Sequence, residues 1–228
     1  TRYGTVTGVQ TCALPIYFRS DGSERRKESG SYRDVFADRA FMKIALASLI
    51  CITFGYASLQ GGLAIFVTKF LELSPKWIGI VYGANTMAIF LFQGAVLRVI
   101  ERRNKFLVLE WTGYIWAISW VVIGFASLTN GFWAGVLVAL SQVVFALGEM
   151  IWSPTSPTLA NELAPDELRG RYNALMAMQW NVAGVLGPAF VGIMLGRNLS
   201  SAWIIAMISG SLIPIALFKS VAKSAIQK

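Results

Sequence analysis

Histidine is absent from this 228-residue sequence, and cysteine occurs only twice. Zinc and haem sites commonly take their ligands from these two residue types, so neither kind of site is indicated. Two cysteines also do not make the framework of a disulfide-rich domain. The sequence contains no glycine-rich loop ending in Lys-Ser or Lys-Thr and no nucleophile elbow, which disfavours ATP-driven pumping and catalysis. We therefore expect no cofactor and do not expect an enzyme.

Charged residues are scarce as well, at 14% of the chain against about 25% in soluble proteins. Hydrophobic residues reach 55%, and the mean hydropathy is +0.57. A helix needs about 20 apolar residues to cross ~30 Å of hydrocarbon. The runs that meet or approach this length are Ile44–Thr68, Trp77–Leu97, Phe106–Leu128, Phe132–Trp152, Tyr172–Leu195 and Ala202–Phe218. Because lipid cannot pair open backbone groups and the runs do not alternate like barrel strands, we predict an all-α membrane protein with six transmembrane helices.

Lysine and arginine are concentrated on one side of these spans, whereas the other side carries only Lys69, Lys76 and Arg197. The positive-inside rule then predicts an integral protein of the cell membrane with both ends of the chain cytoplasmic. This sorting explains the net charge of +8 without a nucleic-acid partner, and an anionic lipid bilayer suits it. Tryptophans 77, 133 and 203 open alternate spans, as an interfacial aromatic belt would place them.

The segments outside the spans differ in character. Residues 7–16 resemble the translation of a sequencing adapter joined to a gene, so we interpret residues 1–16 as an artefactual leader. Residues 17–42 are predicted to form a cytoplasmic linker with an amphipathic lead-in, residues 43–219 the six-helix bundle, and residues 220–228 a cytoplasmic tail.

Two stretches resemble a known transporter family. Gly148–Pro157, continuing through Asn161–Asn173, is similar to the helix-10, loop and helix-11 region of major facilitator transporters, closest to the drug:proton antiporter branch. Gln93–Lys105 resembles the basic loop between helices 8 and 9, but it lacks the glycine and aspartate of the fullest motif. The resemblance implies a twelve-helix fold of which this chain is the C-terminal six-helix half. It also implies a missing N-terminal half as partner, so we expect that the chain alone cannot complete a transport cycle.

Glu149 is the main candidate for proton coupling. Gln142, Phe145, Glu149 and Trp152 recur at spacings of three and four residues and therefore share one helix face. An ionisable group within a span is costly and tends to mark function. A carboxyl in an apolar site also holds a proton more readily than one in water. The alternative is a structural carboxyl bonded to a neighbouring helix.

The resemblance places the first, second, fourth and fifth spans around a substrate cavity. Polar or aromatic residues within these spans are our cavity candidates: Gln60, Asn85, Gln93, Gln142, Phe145, Trp152, Gln179 and Trp180. The alternative for the polar members is hydrogen bonding between helices. The alternative for the aromatic members is packing or lipid contact.

Two further groups concern helix movement. The cytoplasmic gate candidates are Arg98, Arg102, Glu162, Arg169 and Arg171, among which an ion pair could act as a latch. Gly184, Gly187, Pro188 and Gly192 resemble the glycine-rich helix 11 of the family and are helix-packing candidates.

These residues together predict a secondary active transporter that exports small amphipathic substrate molecules in exchange for a proton. The runner-up is uptake or facilitated transport of a metabolite such as a sugar or organic acid. The absence of lysine and arginine from mid-span positions disfavours anionic substrates. A third possibility is a non-transporting membrane scaffold, in which mutation of Glu149 would be silent.

Overall fold

The computed structural model describes residues 31–226, which form helices and short connections with no strand. The helices are α1 (Tyr32–Ala37), α2 (Arg39–Phe70), α3 (Lys76–Ile100), α4 (Lys105–Ala126), α5 (Gly131–Leu163), α6 (Arg169–Gly196) and α7 (Ser200–Ile226). Helices α2 to α7 are each long and apolar enough to cross a membrane. The prediction of an all-α protein with six spans is confirmed. The proposed leader and most of the linker lie outside the described residues.

Helix α5 extends well past the apolar run that predicted it. It continues beyond Trp152 through Pro154 and Pro157 and ends at Leu163. Proline removes a backbone donor, but neighbouring helices and hydroxyl side chains can compensate inside a bundle. The Thr158 hydroxyl also donates to the Pro154 carbonyl at 2.7 Å within this proline-containing segment. The extension places Glu149 about 27 Å from one end of α5 and about 21 Å from the other, near its middle.

Several polar contacts join helices at one end of the bundle. Lys105 pairs with Glu162 at 2.8 Å, joining the start of α4 to the end of α5. Lys43 donates to the Ser220 hydroxyl at 2.9 Å, joining the start of α2 to α7. Because the connection 101–104 and much of the basic sequence lie here, we call this the basic end.

The helices are unequally covered by their neighbours. More than half of the most apolar window of α2, α4 and α5 is buried (56% each), compared with 11% for α3 and 28% for α6. Helix α3 packs chiefly on α5, while α6 packs on α2. Helices α3 and α6 therefore present long apolar faces that the described part of the chain does not cover.

Trp116 of α4 packs between helices α2 and α5. Its ring is buried, stacks on Phe145 at 4.9 Å, and donates its Nε1–H to the Phe145 carbonyl at 3.2 Å. Glycines on two other helices make room for the ring: a Cβ on Gly55 would lie 2.4 Å from Trp116 Cε3, and one on Gly148 would lie 2.5 Å from Cδ1. The close approach of α2, α4 and α5 therefore depends on these two glycines.

Helix α2 contains two widened turns of π-helix, at Cys51–Ala57 and Phe66–Phe70. In the first, the Ser58 hydroxyl donates to the Thr53 carbonyl at 2.7 Å. Such segments are rare and occur frequently at functional sites. The first one carries Tyr56 and faces the candidate site described below.

The tryptophans near the starts of α3, α5 and α7 do not all fit an interfacial belt. Trp133 is 68% exposed, as the belt predicts, but Trp203 is fully buried (0%) and packs edge-on against Trp120 at 5.0 Å. A Cβ on Gly62 would lie 2.5 Å from the Trp203 ring, which shows how deeply the ring enters the bundle. The belt interpretation of Trp203 was wrong, because the sequence does not show which way a residue at a helix end faces.

The amphipathic lead-in is docked rather than simply lying at a membrane surface. Asp38 caps α2 by accepting from the Ala40 and Phe41 amides, and it also accepts from the Tyr172 hydroxyl at 2.8 Å. The Phe41 and Tyr172 rings lie 4.0 Å apart, and Val35 is buried beside them. These contacts tie α1 and the start of α2 to the basic end of α6.

Candidate functional site

A cavity of about 500 Å³ opens between helices α2, α4, α5 and α6. Glu149 supplies a carboxyl group to the cavity wall, and the other lining side chains are aromatic, apolar or uncharged polar. The lining comprises Ile52, Tyr56, Trp116, Glu149, Trp152, Ser153, Ser156, Pro157, Asn173, Met176, Ala177 and Trp180. This size and a mainly apolar wall with few polar groups are typical of small-molecule sites.

Glu149 is contacted from two other helices. The Asn85 side chain of α3 donates to Glu149 Oε2 and to the Gln142 carbonyl, both at 3.4 Å, which is long for N–H···O bonds. Tyr56 of α2 also interacts with the Glu149 carboxylate and with the Gln60 side chain. Asn85 and Glu149, which the sequence marked separately, therefore meet at one point of the bundle.

Aromatic rings form much of the cavity wall. Tyr56 and Trp180 pack edge to face at 5.2 Å, and Trp116 and Trp152 lie 5.9 Å apart. Trp180 keeps 45% of its surface exposed, so part of its ring is open to a ligand. Among the residues that the structure describes, the lining contains no lysine or arginine. Together with the carboxyl group, these rings suit a neutral or cationic amphipathic molecule better than an anion.

The other cavity candidates lie around this space or away from it. Phe145 is buried behind Trp116, and Gln142 is buried with its Oε1 unpartnered among the described residues. Gln179 borders a separate crevice of about 170 Å³ between α2 and α6, and its Oε1 also has no partner in the described part of the chain. Gln60 is exposed and Gln93 half-buried. Their role as substrate contacts stays a prediction.

Several lining residues were not anticipated from the sequence. Ser156 lies seven residues after Glu149, on the same helix face, and that spacing was a usable signal. Asn173 lines the cavity and donates to Asn161 Oδ1 at 2.6 Å across the turn between α5 and α6. Trp116 had no comparable signal, because its position depends on the two glycines supplied by other helices.

The charged groups of the basic end pair differently from the predicted arginine latch. Glu162 bonds to Lys105, and Arg169 pairs locally with Asp166 at 2.7 Å. Glu110 lies 3.7 Å from Lys219 of α7. Arg98 turns back to donate from Nε to the Gly94 carbonyl at 3.2 Å.

The Glu162→Gln variant tests the latch. Glu162 and Lys105 are both substantially exposed, so their ion pair contributes under about 1 kcal/mol to folding. We expect the thermal midpoint of the variant to stay close to that of the parent protein. A latch that breaks during each cycle would nevertheless change the transport rate. Unchanged transport rates in both Glu162→Gln and Lys105→Gln would rule out the latch.

The helix-packing candidates fall into two pairs. A Cβ on Gly187 would lie 2.6 Å from Ala57 Cβ, and one on Gly61 would lie 3.4 Å from Pro188 Cα, so α6 approaches α2 closely here. A Cβ on Gly184 or Gly192 would meet no atom within 4 Å in the described part of the chain. The second pair therefore lies on the uncovered face of α6.

Comparisons with known proteins bear on the family of this chain. The model of the Major Facilitator Superfamily matches residues 11–188. The uncharacterized MFS-type transporter YttB of Bacillus subtilis (strain 168) is 27% identical over 186 residues, which cover 78% of this chain and 46% of the relative. The chain thus spans about half the length of this curated relative. No solved structure matches the chain. The family match begins inside the adapter-like segment, whose interpretation stays a prediction.

Proposed function

This chain belongs to the Major Facilitator Superfamily, and from that premise we propose that it acts as the C-terminal six-helix half of a proton-coupled exporter. Its substrates are small amphipathic compounds, moved by alternating access across the cell membrane. The basic end faces the cytoplasm, in keeping with the positive-inside rule. The chain lies in the lipid bilayer, and the proton gradient across that bilayer drives export.

The observation that carries this proposal is the position of Glu149. A carboxyl in the middle of a membrane-spanning helix is expensive to keep unless it serves a purpose or is fully paired. Glu149 accepts a long hydrogen bond from Asn85, interacts with Tyr56 and borders an open cavity. It can therefore exchange a proton with the same space that receives the substrate, which is the minimal arrangement for coupling the two.

The unevenly covered helices support a two-half arrangement. Helix α3 buries little of its surface, and its exposed side includes Ile80, Met87 and Phe90. Helix α6 leaves Val185 and Ile193 exposed in the same way. A second six-helix half that packs on α3 and α6 would close the cavity, since α6 already forms one of its walls. Rocking of the two halves would then expose the cavity to each side in turn.

The Trp180→Ala variant tests the cavity as the substrate site. Trp180 is partly exposed and contacts Tyr56 at the cavity wall, so truncation should cost little stability. Loss of one aromatic contact should raise the KM for an amphipathic substrate about tenfold with a small change in kcat. Transport assays on the complete transporter measure both constants.

Trp133→Ala is the matched control, because Trp133 is an exposed tryptophan at the far end of α5. Its KM should equal that of the parent protein. Equal KM values in the two variants would contradict a substrate site at this cavity, whatever their kcat values.

A further inference from the structure

A second pocket, of about 440 Å³, lies at the basic end between α3, α4 and α5. It is distinct from the Glu149 cavity and shares no lining residue with it. Cationic, hydroxyl and apolar side chains surround it. The lining consists of Leu97, Arg98, Ile100, Glu101, Arg103, Lys105, Val108, Pro154, Thr155 and Thr158.

The charges of this pocket are predominantly positive and incompletely neutralised. Lys105 has its partner in Glu162, but among the described residues neither Arg98 nor Arg103 forms an ion pair. Arg98 donates only its Nε–H, to the Gly94 carbonyl, and Arg103 lies over the Trp111 ring at 6.0 Å. Within the described part of the chain, Glu101 is the single carboxylate in the lining. Two guanidinium groups therefore border the pocket with capacity to bind an anion bidentately.

The remaining wall suits a lipid better than a free ion. Leu97, Ile100, Val108 and Pro154 supply an apolar surface beside the guanidinium groups. Leu97 is itself exposed, so the apolar surface remains open beside the guanidinium groups. A soluble phosphate would contact the cations and leave this surface unused. A phospholipid would use both, with its headgroup at the cations and the start of its acyl chain against Leu97, Ile100 and Val108.

We propose that this pocket is a binding site for the headgroup of an anionic phospholipid. The site is independent of the proton-coupling role proposed for Glu149. It does touch the same piece of α5, because Pro154, Thr155 and Thr158 face the lipid pocket while Ser153, Ser156 and Pro157 face the cavity. A bound headgroup therefore contacts the reverse side of the cavity wall.

Native mass spectrometry of the full chain in detergent, titrated with phosphatidylglycerol or with phosphatidylcholine of the same acyl chains, tests the site. We expect the parent chain to prefer phosphatidylglycerol. The double variant Arg98→Gln/Arg103→Gln should lose its affinity for phosphatidylglycerol by about tenfold or more, since each basic residue near an anionic lipid contributes roughly a factor of five. Arg98→Lys/Arg103→Lys keeps both charges and should retain most of the affinity.

Arg33→Gln/Arg39→Gln removes the same charge from exposed positions of the basic end outside this pocket, and it should bind like the parent chain. Equal affinity of the parent chain for the two lipids would overturn the proposal. The proposal would also be overturned if the Arg98→Gln/Arg103→Gln variant bound phosphatidylglycerol as tightly as the Arg33→Gln/Arg39→Gln control does. Displacement of the lipid by millimolar inorganic phosphate would instead identify a soluble-anion site and overturn the lipid assignment.

Discussion

The Glu149→Gln variant is expected to lose proton-driven transport completely while still binding and exchanging substrate. Glutamine has nearly the shape of glutamate and keeps an oxygen that can accept from Asn85, so the cavity should be preserved. It cannot release or take up a proton in the accessible pH range. Net export against a gradient requires that step in each cycle, whereas exchange of substrate between the two sides does not.

The measurement compares two assays on the complete transporter in proteoliposomes. Substrate accumulation under an imposed pH gradient should fall to the level of empty vesicles, and substrate exchange without a gradient should continue. Glu110→Gln is the matched control, because Glu110 is also a buried carboxyl of a span but lies beside Lys219 rather than in the cavity. Its gradient-driven accumulation should persist. Undiminished accumulation by Glu149→Gln would refute the coupling role and favour a purely structural carboxyl.

Alanine at either glycine beside Trp116 is expected to destabilise the bundle strongly. The added methyl of Gly55→Ala or Gly148→Ala would lie within about 2.5 Å of the buried Trp116 ring. The ring is held by its bond to the Phe145 carbonyl and by stacking, so helices α2, α4 and α5 must move apart instead. Overpacking of this kind costs about 1–3 kcal/mol, which outweighs the gain of up to ~1 kcal/mol in helix propensity.

Unfolding midpoints of the purified variants measure this effect. Gly79→Ala and Gly83→Ala are matched controls, because a Cβ at either position meets nothing within 4 Å in the described part of the chain. Their only expected change is the gain in helix propensity, so their midpoints should equal or exceed that of the parent. If the unfolding midpoints of Gly55→Ala and Gly148→Ala equal those of the controls, the packing of Trp116 does not depend on these two glycines.

Most of the secondary structure of this protein could be predicted because the relevant signals are local. The cost of open backbone groups in lipid requires helices, and the length of each apolar run predicts one span. The limits of the spans were less predictable. Helix α5 passes through Pro154 and Pro157 to Leu163, although its apolar run ends at Trp152 and each proline removes a backbone donor.

Part of the candidate site could be predicted for a similar reason. Helical spacing alone placed Glu149 and Trp152 on one face, and both line the cavity. Spacing could not show that Phe145 lies behind Trp116 or that Gln179 turns toward another crevice. Those outcomes depend on the rotation of each helix against its neighbours.

The sequence by itself determined that this chain forms six membrane-spanning helices with most of its positive charge at one end. Both properties follow from the free energy of each segment in lipid and hardly depend on which helix lies beside which. Only the tertiary structure decided that Asn85 reaches Glu149, that Glu162 pairs with Lys105, and that Trp116 occupies the space left by Gly55 and Gly148. Those contacts join residues far apart in the chain, and they exist only once side-chain volumes have set how closely the helices approach.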